Sequence, residues 1–279
     1  MVRRIPVCLS IAGSDSGGGA GIQADLKAFA RCGVHGTTAI TALTAQNTVA
    51  VSGVHPVPGE FIVEQVRAVV EDLGVDAVKI GMLGTAETVA AVDEALDLLA
   101  PGTPVVLDPV MVAESGAVLL DDAARAALTT RLLPRATVIT PNVPEARVLA
   151  DDRDADPEDL AVALHALGPA VVVVTGGHRE QATDVVFDGS ALHRLPGERH
   201  PDGAAHGSGC THSSALAAHL ALGHTPLEAA RAAKAIAAAA VRAGLRDLGA
   251  GPGPVDALEL TRNGPLGAGG RPTAATPLA

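Results

Sequence analysis

The stretch Val7-Cys-Leu-Ser-Ile-Ala-Gly13-Ser-Asp-Ser-Gly-Gly-Gly-Ala-Gly-Ile-Gln-Ala-Asp25 decides the fold. An apolar run breaks at a glycine loop, and a helical-period segment begins inside that loop. Strand, glycine turn and helix in this order open a β–α unit. The unit then recurs along the chain. Strand-like runs at 7–12, 37–43, 77–80, 105–107, 138–140, 171–175 and 184–187 alternate with helical segments at 19–32, 58–73, 86–99, 121–132 and 161–167. Two further helices, 209–222 and 226–243, close the series. Such alternation predicts an α/β fold: a doubly wound, mostly parallel sheet with helices on both faces. No repeat or linker interrupts the chain, so residues 1–260 are expected to form a single domain. Residues 261–279, rich in Gly, Pro, Ala and Thr, read as a low-complexity, disordered tail.

Composition narrows the function. The net charge of −11 argues against nucleic acid or an anionic membrane as partner. Three cysteines, Cys8, Cys32 and Cys210, are too few and too scattered for a disulfide framework, and no CxxC pair points to zinc. No apolar run approaches the ~20 residues of a bilayer span. The basic start, Met1-Val-Arg-Arg4, leads into a buried strand better than into a leader, because polar Ser14-Asp15-Ser16 follow. A cytoplasmic protein is expected. Lysine occurs only at Lys27, Lys79 and Lys234, so a phosphate substrate would depend on a metal ion and helix N-termini.

The unusual residues fall at strand ends. Gly13-Ser14-Asp15, Thr44 to Asn47, Gly81-Met82, Asp108 to Met111 and Thr140 to Asn142 each follow a predicted strand. In a parallel sheet these ends share one edge, where open α/β folds bind ligands. The glycine loop lacks the GxGxxG register, and no Gly-Lys pair supplies a Walker A motif. Asp25 lies early in the first helix, either as a helix-start charge or as a substrate-binding carboxylate. Gln46 offers donor and acceptor together to a heterocycle edge, whereas Asn47 is ordinary turn chemistry. Met82 is core by composition, yet Gly81 would let it line a pocket. Asp108, Asn142 and Glu145 are either turn and cap residues or a water-mediated Mg²⁺ shell. Late in the chain, His206-Gly-Ser-Gly-Cys210 runs straight into an alanine-rich helix. A glycine turn feeding a helix leaves amides free for an anion, and a thiol there has its thiolate favoured by the dipole. The alternative is a plain glycine cap with a buried cysteine.

These segments, in order, carry a resemblance. Ala12 to Lys27, Ile40 to Thr48, Lys79-Ile-Gly-Met-Leu83, Asp108-Pro-Val-Met111, Ile139 to Ala146, Gly176-Gly-His178 and His206-Gly-Ser-Gly-Cys210 resemble the hydroxymethylpyrimidine/phosphomethylpyrimidine kinases of thiamine biosynthesis, members of the ribokinase-like superfamily. The likeness runs from about residue 5 to the Gly251-Pro-Gly-Pro-Val-Asp256 segment. It implies phosphoryl transfer from ATP with Mg²⁺ to 4-amino-5-hydroxymethyl-2-methylpyrimidine, then to its monophosphate, by a cytoplasmic homodimer. It implies that Gln46 reads the aminopyrimidine edge, that Gly13 and Asp25 contact the substrate, and that Met82 packs on the ring. Asn142, Thr175 and Gly177 would serve the nucleotide, with Asp108 and Glu145 serving the metal. The amides of Gly207, Ser208, Gly209 and Cys210 would form the anion hole, with Cys210 standing where many superfamily members carry a catalytic Asp. Relatives commonly have lysine where this chain has Glu114 and Thr175, and Thr where it has Ala205. Pyridoxal kinase, or a kinase of both substrates, is the alternative activity.

Overall fold

The computed structural model describes residues 4–113, 116, 119–177, 182–201 and 203–260. The expected tail at 261–279, with Glu114 and His178, lies outside the described residues.

Nine strands form one sheet: β1 (Val7–Asp15), β2 (His35–Gln46), β3 (Val51–Pro56), β4 (Ala77–Ile80), β5 (Val105–Leu107), β6 (Val138–Ile139), β7 (Val171–Val174), β8 (Asp184–Phe187) and β9 (Leu192–Leu195). Their order is β3-β2-β1-β4-β5-β6-β7-β8-β9. The run from β2 to β7 is parallel, and β3, β8 and β9 are antiparallel additions at the edges. The helices are α1 (Gly21–Arg31), α2 (Gly59–Asp72), α3 (Ala86–Ala95), α4 (Asp122–Ala127), α5 (Val143–Ala150), α6 (Pro157–His165), α7 (Ser208–Ala221) and α8 (Pro226–Arg242).

Alternation of side chains along the strands divides the core in two. Leu9, Ile11, Val78, Ile80, Val105 and Leu107 join one apolar cluster with residues of α2 to α6. Cys8, Ala77, Val106, Val138, Val171 and Val173 join the other with residues of α1, α7 and α8. Strands buried on both faces read as continuous Val/Ile/Leu runs, which is why they were legible in the sequence. The expected doubly wound sheet is present.

The chain leaves β1 for β2 on one side and reaches β4 on the other. This reversal opens a crevice beyond the carboxyl ends of β1 and β4, the place where such sheets bind ligands. At that point the β1–β2 register slips between Ala12 and Ser14, so the strand bends at Gly13. Of the residues expected to follow the first two strands, Gly13 to Asp15 and Thr44 to Gln46 are still within them, since β1 runs to Asp15 and β2 to Gln46, and Asn47 follows β2 as expected.

Candidate active site

Two helix N-termini converge on the crevice. Helix α7 starts at Gly207, whose φ of 82° is left-handed and comfortable only for glycine. Its amides are divided sharply. Ser208 N donates to Ala205 O (2.9 Å) and Thr211 N to Gly207 O (2.9 Å). Among the described residues no backbone acceptor takes the Gly209 or Cys210 amide, so the first turn keeps free donors. Helix α1 begins beside it, close enough that the Gly21 amide favours the charged form of Cys210. The glycine loop and the α7 turn touch backbone to backbone: a Cβ on Gly207 would collide with the Gly19 carbonyl, and one on Gly19 with the His206 ring.

Asp15 holds this junction together. Its carboxylate accepts amides from Gly17 (2.8 Å), Gly19 (3.0 Å) and Ala20 (2.8 Å), and lies 3.3 Å from His206 Nε2. Burial works against its charge, but His206 and these amides hold its carboxyl below the usual range.

Beneath the junction is a buried ion pair. Asp25 receives Ser10 Oγ (2.6 Å), Lys79 Nζ (2.8 Å) and Ser214 Oγ (2.7 Å), and both Asp25 and Lys79 are fully buried. Burial pulls the Lys79 ammonium down, yet Asp25, with Cys210 and Asp108, overrides it and leaves the group above the ordinary lysine range. Gly81 makes this possible, because a Cβ there would press on Lys79 Nζ at 2.8 Å.

A cavity of about 460 Å³ opens over these groups. At one end its wall includes Gly13, Gln46 and Met82. Gln46 Oε1 accepts the Thr44 hydroxyl (3.1 Å), which orients the amide. A Cβ on Gly13 would overlap the Met82 methyl, so this glycine is the space Met82 occupies. In the middle stand Lys79, Asp108, Cys210 and the turn from Gly207 to Gly209. At the far end the wall includes Asn142, Glu145, Thr175, Gly177, Asp184 and Lys234.

Two expectations need correction. Asp25 is not part of the cavity wall; its oxygens accept from Ser10, Lys79 and Ser214, so its role in this structure is to fix the Lys79 charge. The thiol of Cys210 is not poised as a thiolate. Burial first, then Asp25 and Asp108, pushes it up to about 12, outweighing Lys79 and the Gly21 amide. The helix-start dipole is a surface-strength effect and loses to desolvation beside two carboxylates.

Asn142 and Glu145 satisfy both of their readings. They form a reciprocal capping box on α5, with Glu145 N donating to Asn142 Oδ1 (2.8 Å) and Asn142 N to Glu145 Oε2 (2.9 Å). Both also face the cavity. Glu145 is pushed up to about 8 by burial and then by Asp108. Asp108 is raised as well, chiefly by burial, although Lys79 and Ser213 pull it down. Two neighbouring carboxylates that each resist ionisation are short of positive charge, and a divalent cation fits that deficit. Among the described residues no group of three or more ligating side chains could hold a metal alone. An ion carried in on phosphates needs only one or two protein carboxylates.

Asn47, whose Oδ1 accepts Val49 N and Ala50 N (3.0 Å each), is a turn residue outside the cavity wall. Sequence reasoning gave no role to Lys79, Asp15, His206, Asp184, His212 or Lys234. Lys79 was visible as a lone lysine closing an apolar run; the others carry no local signal.

Paired helix N-termini, a buried lysine and a two-carboxylate corner at the switch point of an open sheet suit a small, anionic, phosphate-bearing ligand. Residues 15–256 match the family described as phosphomethylpyrimidine kinase. The hydroxymethylpyrimidine/phosphomethylpyrimidine kinase of Rhizobium meliloti (strain 1021) is 50% identical over 257 residues, covering 89% of this chain and 96% of that one. Among solved structures, the pyridoxal kinase from Staphylococcus aureus in complex with AMP-PCP and pyridoxal superposes with a TM-score of 0.83 at 33% identity, over 93% of this chain and 96% of the other. A phosphomethylpyrimidine kinase from Clostridium difficile 630 does so at 0.73 and 37% identity, over 83% and 97%. The chain belongs to the phosphomethylpyrimidine kinase family and is a kinase.

Proposed function

We propose that the protein transfers the γ-phosphoryl group of ATP to the hydroxymethyl oxygen of 4-amino-5-hydroxymethyl-2-methylpyrimidine, and then phosphorylates the monophosphate. The observation that carries this reading is the meeting of the α1 and α7 N-termini around Cys210, in a cavity with an oriented amide at one end and acidic groups at the other.

Gln46, oriented by Thr44, takes the aminopyrimidine edge, and Met82 covers the ring in the space left by Gly13. The free Gly209 and Cys210 amides, presented by the Gly207–Ser208 turn, receive the transferring phosphoryl; the Ser208 amide, expected among them, is instead bonded to Ala205 O. Lys79, kept charged by Asp25, adds a fixed positive charge in the middle of the cavity. Asn142, Thr175 and Gly177 flank the nucleotide. Asp108 and Glu145 would hold Mg²⁺, which would supply positive charge against the phosphates. A largely dissociative transition state asks little of a base. With its thiol held protonated near the cradle, Cys210 orients the hydroxyl and does not remove its proton in the resting enzyme.

The same reading has the enzyme acting in the cytoplasm as a homodimer. No helix among the described residues is long and apolar enough to cross a membrane. A monomer mass by analytical ultracentrifugation would remove the dimer.

A coupled assay with Mg·ATP and the pyrimidine alcohol, its monophosphate or pyridoxal tests the activity. Turnover of both pyrimidines supports it. Pyridoxal faster by orders of magnitude would assign the site to the vitamin B6 reaction instead, as in the S. aureus neighbour.

A further inference from the structure

Three successive residues of α7 reach three different carboxylates. Each residue of a helix turns about 100° from the last, so His212, Ser213 and Ser214 fan across the strand ends. Ser214 Oγ donates to Asp25 Oδ1 at 2.7 Å, and Ser213 Oγ to Asp108 Oδ2 at 3.0 Å. His212 breaks the pattern. Its Nε2 stops 3.6 Å from Asp184 Oδ2, and neither ring nitrogen has a hydrogen-bond partner, although the residue is only 6% exposed. A neutral imidazole always carries one N–H and one lone pair. Burying both unpaired is costly, and an orphan of this kind calls for an explanation.

Asp184 has two partners closer than the histidine. It already accepts Gly176 N (2.9 Å) and Lys234 Nζ (2.9 Å), while Lys234 also donates to the Ala182 carbonyl (2.6 Å). His212, Asp184 and Lys234 all belong to the cavity wall, on the side away from Gln46 and Met82. Positive charge in that wall is already committed: Lys79 to Asp25 and Lys234 to Asp184, with Arg199 left on the exposed rim. Among the described residues of this wall, two buried side chains have no hydrogen-bond partner, Thr140 and His212, and of the two His212 is the one set against Asp184.

We propose that His212 is a nucleotide-binding residue whose ring N–H donates to a phosphate oxygen of the bound nucleoside diphosphate or triphosphate, with Asp184 behind it. The inference rests on the reading that the nucleotide occupies this end of the cavity. The ligand class is set by the donor. A ring N–H backed by a carboxylate recognises an anionic oxygen more strongly than a neutral base edge.

Isothermal titration of ADP and of adenosine into the wild-type protein, His212→Phe and His212→Gln tests it. The phenylalanine keeps the ring volume without a donor; the glutamine restores an N–H. His212→Phe is expected to weaken ADP about tenfold, the scale of one charge-assisted hydrogen bond, and to leave adenosine unchanged. His212→Gln should recover most of the loss. Wild-type affinity for ADP in His212→Phe, or equal losses for ADP and adenosine, overturns the proposal and makes the ring a packing element. Should His212→Phe fail to fold, ¹⁵N-histidine spectra of the wild type decide: the His212 ring signals must move with ADP and not with adenosine. A wild-type protein that binds the pyrimidine alcohol but no ADP at millimolar concentration overturns the nucleotide reading itself.

Discussion

Lys79 and Asp25 are both fully buried, 54 residues apart in sequence, and each is the other's main charge partner. Removing one member of such a pair strands the other, at a cost of about 3–5 kcal/mol. Lys79→Met should therefore lower the unfolding free energy by that amount, read as a lower urea midpoint at an unchanged slope. It should also abolish turnover in whatever fraction still folds. Cys210 allows a sharper test. A thiol pushed up to about 12 is almost wholly protonated at neutral pH, and the thiolate is the reactive form. Iodoacetamide at pH 8 is expected to modify Cys210 far more slowly than a free thiol, as read by mass spectrometry. Cys210→Ala should keep turnover well above the loss of ~10²–10⁴ that follows removal of a true general base. A loss of that size, with a basic limb in the pH profile near 8, would restore the base role.

At the scale of elements, the junction of the β1 loop with the start of α7 is the part most exposed to damage. It contains two glycines whose absent side chains leave room for the opposite loop, Gly207 for the Gly19 carbonyl and Gly19 for the His206 ring, and one carboxylate that organises the loop. Gly207→Ala meets the Gly19 carbonyl in a left-handed backbone that alanine resists. The loops must part, and kcat should fall by about a hundredfold or more, the order seen when an oxyanion donor is displaced. Circular dichroism of the variant should remain native. Asp15→Asn is the milder probe. It keeps the shape but weakens the three amide contacts and the His206 contact, so kcat should fall more than either KM. The elements missed in the sequence are instructive here. Strand β3 is largely exposed and mixes Ser, Gly, His and Pro with two valines, so no apolar run announced it. Helix α5 is only eight residues long, and its two cap residues were weighed as ligands as well as caps. Helix α6 starts at Pro157, earlier than the apolar pattern indicated, because Asp156 caps it and proline occupies the first turn.

At the scale of the whole molecule, acid stability follows from the buried carboxylates that the fold pairs. Asp184 loses charge preference through burial, but His212, Lys234 and the Gly176 amide more than restore it, and its carboxyl is held below the usual range. Asp15 is held low in the same way by His206 and its loop amides. A lowered native pKa means the unfolded chain binds protons first, so this contribution is intact above the ordinary carboxylate range near 4 and is lost as pH falls through the native values. The melting temperature should drop steeply below about pH 4. Asp184→Asn should melt lower at pH 7 and show a shallower decline in acid, as followed by differential scanning fluorimetry.

The alternation of strands and helices, the one-sided placement of Gln46, Asp108 and Asn142, and the glycine turn before Cys210 could all be read from the chain. Each is a local signal: a period of two or 3.6, a glycine where the backbone must bend, an amide exposed at a helix start. What no local signal carries is the company a buried group keeps. Asp25 looked like a substrate ligand until Ser10, Lys79 and Ser214 were seen to enclose it, and Cys210 looked activated until burial and two carboxylates surrounded it. Asp15 meets His206 across 191 residues. Charge state and solvent access are set by neighbours that only the folded sheet brings together, so the sequence alone determined which strand ends share an edge, and the tertiary structure decided which of the residues there line the cavity and which are enclosed by partners.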